Sequence, residues 1–333
     1  MNSQLLHTPA GVRDIYGDEY AKKLAAEAII RREFNLAGYR DIQTPTFEFF
    51  DIFANEIGTT PSNELYKLTD DNGNTMVLRP DFTPGVARCA AKYFSDPGER
   101  LRLCYLGNTY KNTTNLRGKL KERTEMGVEL IGDAAILAEA ETIALLIKAL
   151  LAVGLKNFQV SIGQVEYFKG MCSAAALSAE IKLRLRDLIA GKNHFAVESL
   201  LKEAGLNDLD CEHFSAITDL MGGPDILERA MELAPNEPSQ AAITNLIKLY
   251  DVLCEQGMEN HVAFDLGMLS QYNYYTGIIF KCYAYGVGDA IAKGGRYDDL
   301  LEKFGKGTPA VGFGLVIDEL MMALTRQGVG GFH

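Results

Sequence analysis

The chain has 333 residues, 47% apolar and 23% charged, with a net charge of −11. That composition supports an ordinary buried core and leaves no segment biased enough for disorder. The length suits one large domain with an insertion, or two medium ones, and the acidic balance argues against a broad nucleic-acid-binding face without excluding a local basic patch.

The opening MNSQLLHTPAGVRD has no basic start followed by an apolar run, so it is not read as a secretory signal. No stretch approaches the ~20 apolar residues of a membrane span. The most apolar candidate, 134–153, carries Glu139, Glu141 and Lys148. A soluble, cytoplasmic protein with no membrane partner is expected. Cys89, Cys104, Cys172, Cys211, Cys254 and Cys282 form no CxxC pair, and the five histidines form no HxxxH or HxH. Inert thiols, no metal and no cofactor follow as expectations.

In chain order, residues 18–37 read as a helix. Asp18 is its expected cap, Tyr20, Leu24, Ala28, Ile30, Phe34 and Ala37 its apolar face, and Gly38 its stop. An extended stretch, 41–44, runs into Pro45, which belongs at an edge, a strand end or a contact. A strand over 75–79 breaks at Pro80, and a helix runs from about Thr83-Pro84 to Phe94. Two extended segments, 101–111 and 121–131, flank the polar loop NTTNLRGK and form a long antiparallel hairpin. Asp133 is the expected cap of a helix with Ile136, Ala140, Ile143, Ile147 and Leu150 on one stripe and Gly154 at its end.

Another strand is expected over 157–163. From 172 to 256 short amphipathic helices alternate with Gly191, Gly205, Gly222-Gly223-Pro224 and Pro235-Pro238. This reads as a helical insertion in a domain made of 1–171 and 257–333. Strand character returns over 262–268 and 275–285. Gly294-Gly295-Arg296-Tyr297-Asp298 reads as a tight turn leading to a helix, and a last strand and helix fill 310–325. The fold class is α+β, with one large antiparallel sheet flanked by helices.

Several segments together resemble class II histidyl-tRNA synthetases. GYRDIQTPTFE (38–48) is similar to motif 1, the dimer-forming piece. RPDFTPGVAR (79–88) resembles the stretch that holds the α-amino group. TYKNTTNLRGKLKERTEMGVELIG (109–132) lies where motif 2 belongs, and AVGFGLVIDEL (310–320) where motif 3 belongs. YYTGIIF (274–280) and GGRYDDL (294–300) resemble the segments that close over the imidazole. The TPAGVRD opening, 8–14, fits as well. Nearly the whole chain is covered, and the order of the motifs carries more weight than any one of them.

Adenylate formation needs fixed cations on the phosphates of ATP, and the family uses arginines, whose planar fork pairs with phosphate at two points. In this chain the motif 2 arginine falls on Lys111 and its second arginine on Thr114. The histidine-specific arginine falls on Ser270 and the motif 3 arginine on Glu319. At ~4 Å and an effective dielectric near 20, one unit-charge contact is worth about 4 kcal/mol, so the reversal at Glu319 is the sharpest loss. Only about ten residues follow the last expected helix, too few for an anticodon-binding domain, and no tRNA partner is expected.

The amino-acid end of the resemblance survives better. It implies a histidine-like pocket of Asp81, Thr83, Lys111, Glu125, Glu129, Tyr274, Tyr275 and Gly277. A carboxylate and a phenol suit an imidazole N–H. Each has an ordinary alternative: Asp81 as a helix cap, Glu129 as an ion-paired strand residue, the tyrosines as strand-surface aromatics. Arg296 is either structural or meets a ligand carboxylate.

A synthetase core without its ATP clamp resembles the regulatory subunits of short-form ATP phosphoribosyltransferases. That resemblance implies no catalysis, dimers through the motif 1 region, assembly with the short catalytic subunit, and a part in activation and histidine feedback. The alternatives are an amino-acid-activating enzyme of the synthetase fold and a tRNA-binding paralogue.

Overall fold

The computed structural model describes residues 6–53, 60–94, 99–113, 119–269 and 274–331. Helix α1 (Gly17–Leu36) opens the fold and ends in a left-handed Gly38. Two short strands follow, β1 (Arg40–Asp41) and β2 (Phe47–Phe49), then β3 (Lys67–Thr69), β4 (Thr75–Leu78) and α2 (Thr83–Tyr93). The long hairpin is β5 (Leu101–Tyr110) and β6 (Glu122–Ile131), followed by α3 (Ile136–Ala152) and β7 (Phe158–Gln164). The helical block holds α4 (Val165–Ala174), α5 (Ala179–Ala190), α6 (His194–Glu203), α7 (Asp208–Ala216), the two-residue β8 (Met221–Gly222), α8 (Ile226–Leu233) and α9 (Glu237–Glu255). The chain closes with β9 (Val262–Asp265), β10 (Ile278–Ala284), β11 (Ala292–Arg296), β12 (Ala310–Val316) and α10 (Ile317–Arg326). Among the described residues no helix is long and apolar enough to cross a membrane.

Nine strands form one sheet in the order β1-β5-β6-β12-β11-β10-β7-β9-β8, and β2-β4-β3 form a small second sheet. Every pair in the large sheet is antiparallel except β1–β5 and β7–β9. The helical block does not stand apart. Leu185, Val197, Leu227 and Ile243 belong to the same buried cluster as Val160 and Phe280 of the sheet, and β8 pairs with β9 at the sheet edge.

Strand side chains alternate between faces, and the central strands separate two cores by this rule. Met126, Val128 and Leu130 of β6 join Phe313 of β12, Ile143 and Ile147 of α3, and Ile30 and Phe34 of α1. The Phe34 and Phe313 rings meet edge-on at 5.8 Å. Each such fully buried side chain contributes roughly 1.5–3 kcal/mol. On the other face, Leu103, Tyr105 and Ile131 pack with Phe82, Val86, Tyr297 and Leu301. The candidate site opens on this second face.

Several local expectations are corrected. Asp18 does not cap α1; the cap position is Tyr16, without a side-chain bond, and Asp18 sits in the first turn. Tyr20 and Leu24 are each 46% exposed, and the buried stripe is Ala26, Glu27, Ile30 and Phe34. Asp133 does not occupy the α3 cap either; it turns the chain by accepting from the Ala135 amide at 3.0 Å. Gly294-Gly295 is not a turn. It is the middle of β11, and a short 3-10 helix, Leu301–Phe304, follows where a full helix is expected. Cβ atoms at 294 and 295 would overlap Phe280 and Phe313 on one face and Tyr275 on the other, so ring crowding on both sides selects glycine.

This strand decides the fate of Arg296. Its side chain turns to the α3 face, pairs with Glu139, and donates to the carbonyls of Asp133 at 3.1 Å and Ala135 at 3.3 Å and to Asp298 at 3.2 Å. Both members of the Arg296–Glu139 pair are buried. Removing one partner leaves an uncompensated buried charge. Arg296→Leu is expected to lower the unfolding free energy by about 3–5 kcal/mol, and Arg296→Leu with Glu139→Leu to recover most of it. Urea unfolding of the three chains checks this; equal losses in the single and double variants would refute it.

Candidate ligand-binding site

The site forms where β6, β11 and β12 meet the start of α2 and the 274–275 segment. Glu125 and Glu129 lie four residues apart on β6, so both point to the face away from α3. Across the ladder, Gly312 pairs with Glu129 and Gly314 with Gly127. A Cβ at 312 would overlap the Glu129 carboxylate, and one at 314 the Glu125 carboxylate. The two glycines of β12 therefore leave the space that these acids fill.

A cavity of about 100 Å3 lies over these strands. Its walls are Asp81, Thr83, Lys111, Glu125, Tyr274 and Tyr275, with Thr109, Arg123, Lys293, Tyr297 and the β12 backbone around Gly312–Gly314. Six of the sequence-selected residues thus come together. Tyr274 lies with its ring centroid 4.5 Å from Tyr275 and meets Tyr297 edge-on at 6.0 Å. Asp81 accepts the Thr83 amide at 3.0 Å, so it turns the chain into α2 and faces the cavity at once.

Three selected residues stand elsewhere. Glu129 is 1% exposed and lies behind the wall, not on it. Its Oε1 accepts from the Thr83 hydroxyl at 2.8 Å and its Oε2 from the Tyr297 hydroxyl. Gly277 sits over Arg296, and its carbonyl accepts the Val165 amide at 3.1 Å. Arg296 faces α3, as above, and is not among the residues that line the cavity. Thr114 and Ser270 lie outside the described residues. Glu319 is in the first turn of α10, half-buried, and lines neither this cavity nor the larger chamber beside it.

Burial dominates the electrostatics. It pushes the Glu129 carboxyl up to about 8, against the opposing pull of the Tyr297 and Thr83 hydroxyls. Burial, and then Asp81, pushes Glu125 up to about 7, while Lys111, Arg123 and Lys293 draw it down. A cationic ligand in the cavity would therefore favour the ionised form of Glu125. Arg79 of the RPDF segment is not among the residues that line the cavity. It donates to the carbonyls of Thr44 at 2.9 Å and Asn108 at 2.8 Å and stacks over Phe82 at 4.1 Å, so it pins the start of α2 against the hairpin.

Arg123, Lys293 and Tyr297 are wall residues that the sequence reading missed. Arg123 shares a face with Glu125 by the two-residue period of β6. Lys293 and Tyr297 share the face opposite Arg296 once 292–296 is a strand. A strand reading of GGRYDDL would have selected Tyr297 over Arg296.

A family model described as histidyl-tRNA synthetase matches residues 11–320. The chain is 42% identical over 324 residues to an ATP phosphoribosyltransferase regulatory subunit from Acetivibrio thermocellus, covering 97% of this chain and 78% of that one. It is 39% identical to another from Thermoanaerobacter pseudethanolicus, covering 97% and 84%. A crystal structure of an ATP phosphoribosyltransferase regulatory subunit/histidyl-tRNA synthetase from Bacillus halodurans C superposes with a TM-score of 0.90 at 36% identity, over 96% of this chain and 83% of that one. Histidyl-tRNA synthetase from Nostoc sp. PCC 7120 superposes at 0.82 with 20% identity, over 98% and 76%, which establishes likeness of fold. This chain belongs to the histidyl-tRNA synthetase family, and within it to the ATP phosphoribosyltransferase regulatory subunits.

Proposed function

We propose that this chain is the non-catalytic regulatory subunit of a short-form ATP phosphoribosyltransferase, needed for the activity of a separate catalytic subunit and for histidine feedback. The observation that carries the reading is the small acid- and tyrosine-walled cavity set within the relatives' shared fold. Asp81 and Glu125 suit an ammonium, Tyr274 and Tyr275 suit a flat ring, and Lys111 suits a carboxylate. The catalytic side is deficient at the level of sequence: Lys111, Thr114, Ser270 and Glu319 stand where synthetase arginines are expected. Feedback then requires histidine to bind the assembly's active and inactive states with unequal affinity.

One surface serves self-assembly in this reading. The outer side of α1 exposes Leu24 and Leu36, the latter 75% exposed, beside Leu106 of β5. A two-fold homodimer through the motif 1 region, 38–48, extended over this adjoining face of α1 buries them. No tRNA and no membrane enter the function.

Mixing the chain with the short catalytic subunit is expected to raise that subunit's activity and make it histidine-sensitive. The chain alone is expected to catalyse no histidine-dependent pyrophosphate exchange; measurable exchange, or an unchanged rate on mixing, would overturn the reading. Glu125→Gln is expected to weaken histidine binding by about tenfold or more, since a hydrogen bond to a charged group is worth about 1.5–3 kcal/mol. Titration calorimetry measures it. Light scattering of Leu36→Asp with Leu106→Asp is expected to give a monomer mass, and an intact dimer would rule out the α1 interface.

The raised Glu129 carboxyl predicts a pH dependence. An unfolded glutamate titrates near 4.5 and the folded one at about 8, so between those values the folded chain holds a proton that the unfolded chain lacks. Stability is therefore highest below the unfolded value and falls as pH rises toward about 8, by up to a few kcal/mol. Glu129→Gln, an analogue of the neutral acid, is expected to flatten that fall. Parallel slopes for both chains between pH 5 and pH 8 would count against it.

A further inference from the structure

Strand β6 loses one neighbour close to the site. The β12 ladder ends at Val316, opposite Glu125, and the chain turns there into α10. From Thr124 toward the hairpin tip, β6 is paired with β5 alone. Thr124 stands at that step, between Arg123 and Glu125, which line the cavity. Strand alternation turns its own buried side chain to the opposite face, toward α1. Asp318, in the first turn of α10, takes the place of the missing strand by accepting the Thr124 amide at 2.8 Å. Lys23 of α1 donates to the Thr124 hydroxyl. That hydroxyl donates to Asn108 Oδ1 at 3.2 Å, from the position directly across the β5–β6 ladder. The Asn108 side-chain amide donates in turn to Glu122 at 2.7 Å.

Asn108 also holds the other side of the cavity. Its carbonyl accepts Arg79 Nε at 2.8 Å, and the Tyr110 amide donates to the Arg79 carbonyl at 3.0 Å. Gly107 leaves room for this, since a Cβ there would overlap the Arg79 guanidinium and press on Phe82. Arg79 leads through Pro80 into Asp81, which lines the cavity. One run of polar contacts therefore reaches from α1 through Thr124 and Asn108 to both acids of the cavity, Glu125 on one branch and Asp81 on the other. Its far end is anchored. The Lys23 side chain is 12% exposed and lies 3.8 Å from Glu27, one turn along α1. Burial raises the Glu27 carboxyl above the ordinary glutamate range, Lys23 draws it down, and Asp318 raises it. A lysine so enclosed, with a carboxylate and a hydroxyl as partners, has few other places to go.

We propose that Lys23, Thr124 and Asn108 are positioning residues for the cavity: they set the separation of Asp81 and Glu125, and so its selectivity for ligands that carry an ammonium, on the reading above that this ligand is histidine. None of the three is among the residues that line the cavity; each acts through one that does. Two carboxylates share one ammonium well only at a fixed spacing, because a hydrogen bond weakens steeply outside its range of distance and angle. The Glu129 contacts to Thr83 and Tyr297 fix α2 against β11. The contacts of Thr124 and Asn108 fix the start of α2 against β6, at the point where β12 no longer supports that strand.

Calorimetry of the full chain with free histidine tests this. Lys23→Met and Thr124→Val are each expected to weaken binding about tenfold, and Lys23→Arg to restore it to within about threefold. The double change Lys23→Met with Thr124→Val is expected to lose no more than either alone, because both break the same contact. The loss falls on the ammonium: imidazolepropionate, which keeps the ring and the carboxylate, is expected to bind the unmodified and Lys23→Met chains alike. Arg102→Gln breaks the paired contact of β5 with Glu141 on α3. It is expected to lower stability in urea and leave histidine binding unchanged, which separates positioning from general loosening. Equal histidine affinity in the unmodified and Lys23→Met chains would overturn the proposal. So would an equal loss for imidazolepropionate, or a tenfold loss in Arg102→Gln. Absence of saturable heat from histidine with the unmodified chain would instead remove histidine as the ligand, and this positioning role with it.

Discussion

Glu125 and Glu129 stand on one face of β6 because strand side chains alternate, and the rest of the site depends on making room for them. Two carboxylates in a sheet interior need volume above the neighbouring strand and either donors or a proton. Gly312 and Gly314 provide the volume, since side chains there would occupy the carboxylate positions. The Thr83 and Tyr297 hydroxyls provide donors to Glu129, and burial retains the proton. Because Glu129 is fully engaged, the acids turned to the cavity are Glu125 and Asp81. Glu129 instead ties α2 to the end of β11, and so fixes the distance between the two sides of the cavity.

The same alternation sorts charge. On β11, Lys293 and Tyr297 face the site while Arg296 crosses to Glu139 under α3. On β10, Lys281 pairs directly with Lys293. The sheet therefore carries its acids at the centre of one face and its cations toward the hairpin tips. A zwitterionic amino acid suits the boundary between them, with its ammonium on the acid side and its carboxylate toward Lys111. A one-residue slip of β11 against β12 would invert this arrangement, and the paired glycines make such a slip costly by bringing side chains into the occupied spaces.

The sequence carried much of this in legible form. The hairpin, α3 with its Gly154 stop, and the last strand and helix follow from periodicity and turn residues, while the motif order came from the family resemblance. What escaped has a common physical origin. Gly294-Gly295 resembles a turn because glycine is a turn residue, yet here it answers to Phe280, Phe313 and Tyr275, which approach from other segments. Asp18 and Asp133 look like caps by position, but where their side chains bond depends on the entering backbone. Tyr20 and Leu24 fit a helical stripe, while the face that α1 buries is set by where α3 and β12 lie. Arg123, Lys293 and Tyr297 became visible only when strand register gave each side chain a face.

Lys111, one of the positions where a synthetase arginine is expected, lines both the acid-walled cavity and the lysine-rich chamber beside it. Lys111 keeps charge where a fork is expected, and lysines at 119, 121 and 293 surround the same opening. An arginine fork fixes the phosphate oxygens in one orientation, as in-line displacement demands; a lysine offers a mobile point charge that holds an anion without aligning it. Adenylate chemistry needs alignment, whereas sensing needs only a difference in free energy between bound and empty states. A basic chamber built mainly of lysines is therefore suited to retaining an anion and poorly suited to reacting it. That property fits a chain whose relatives are regulatory subunits.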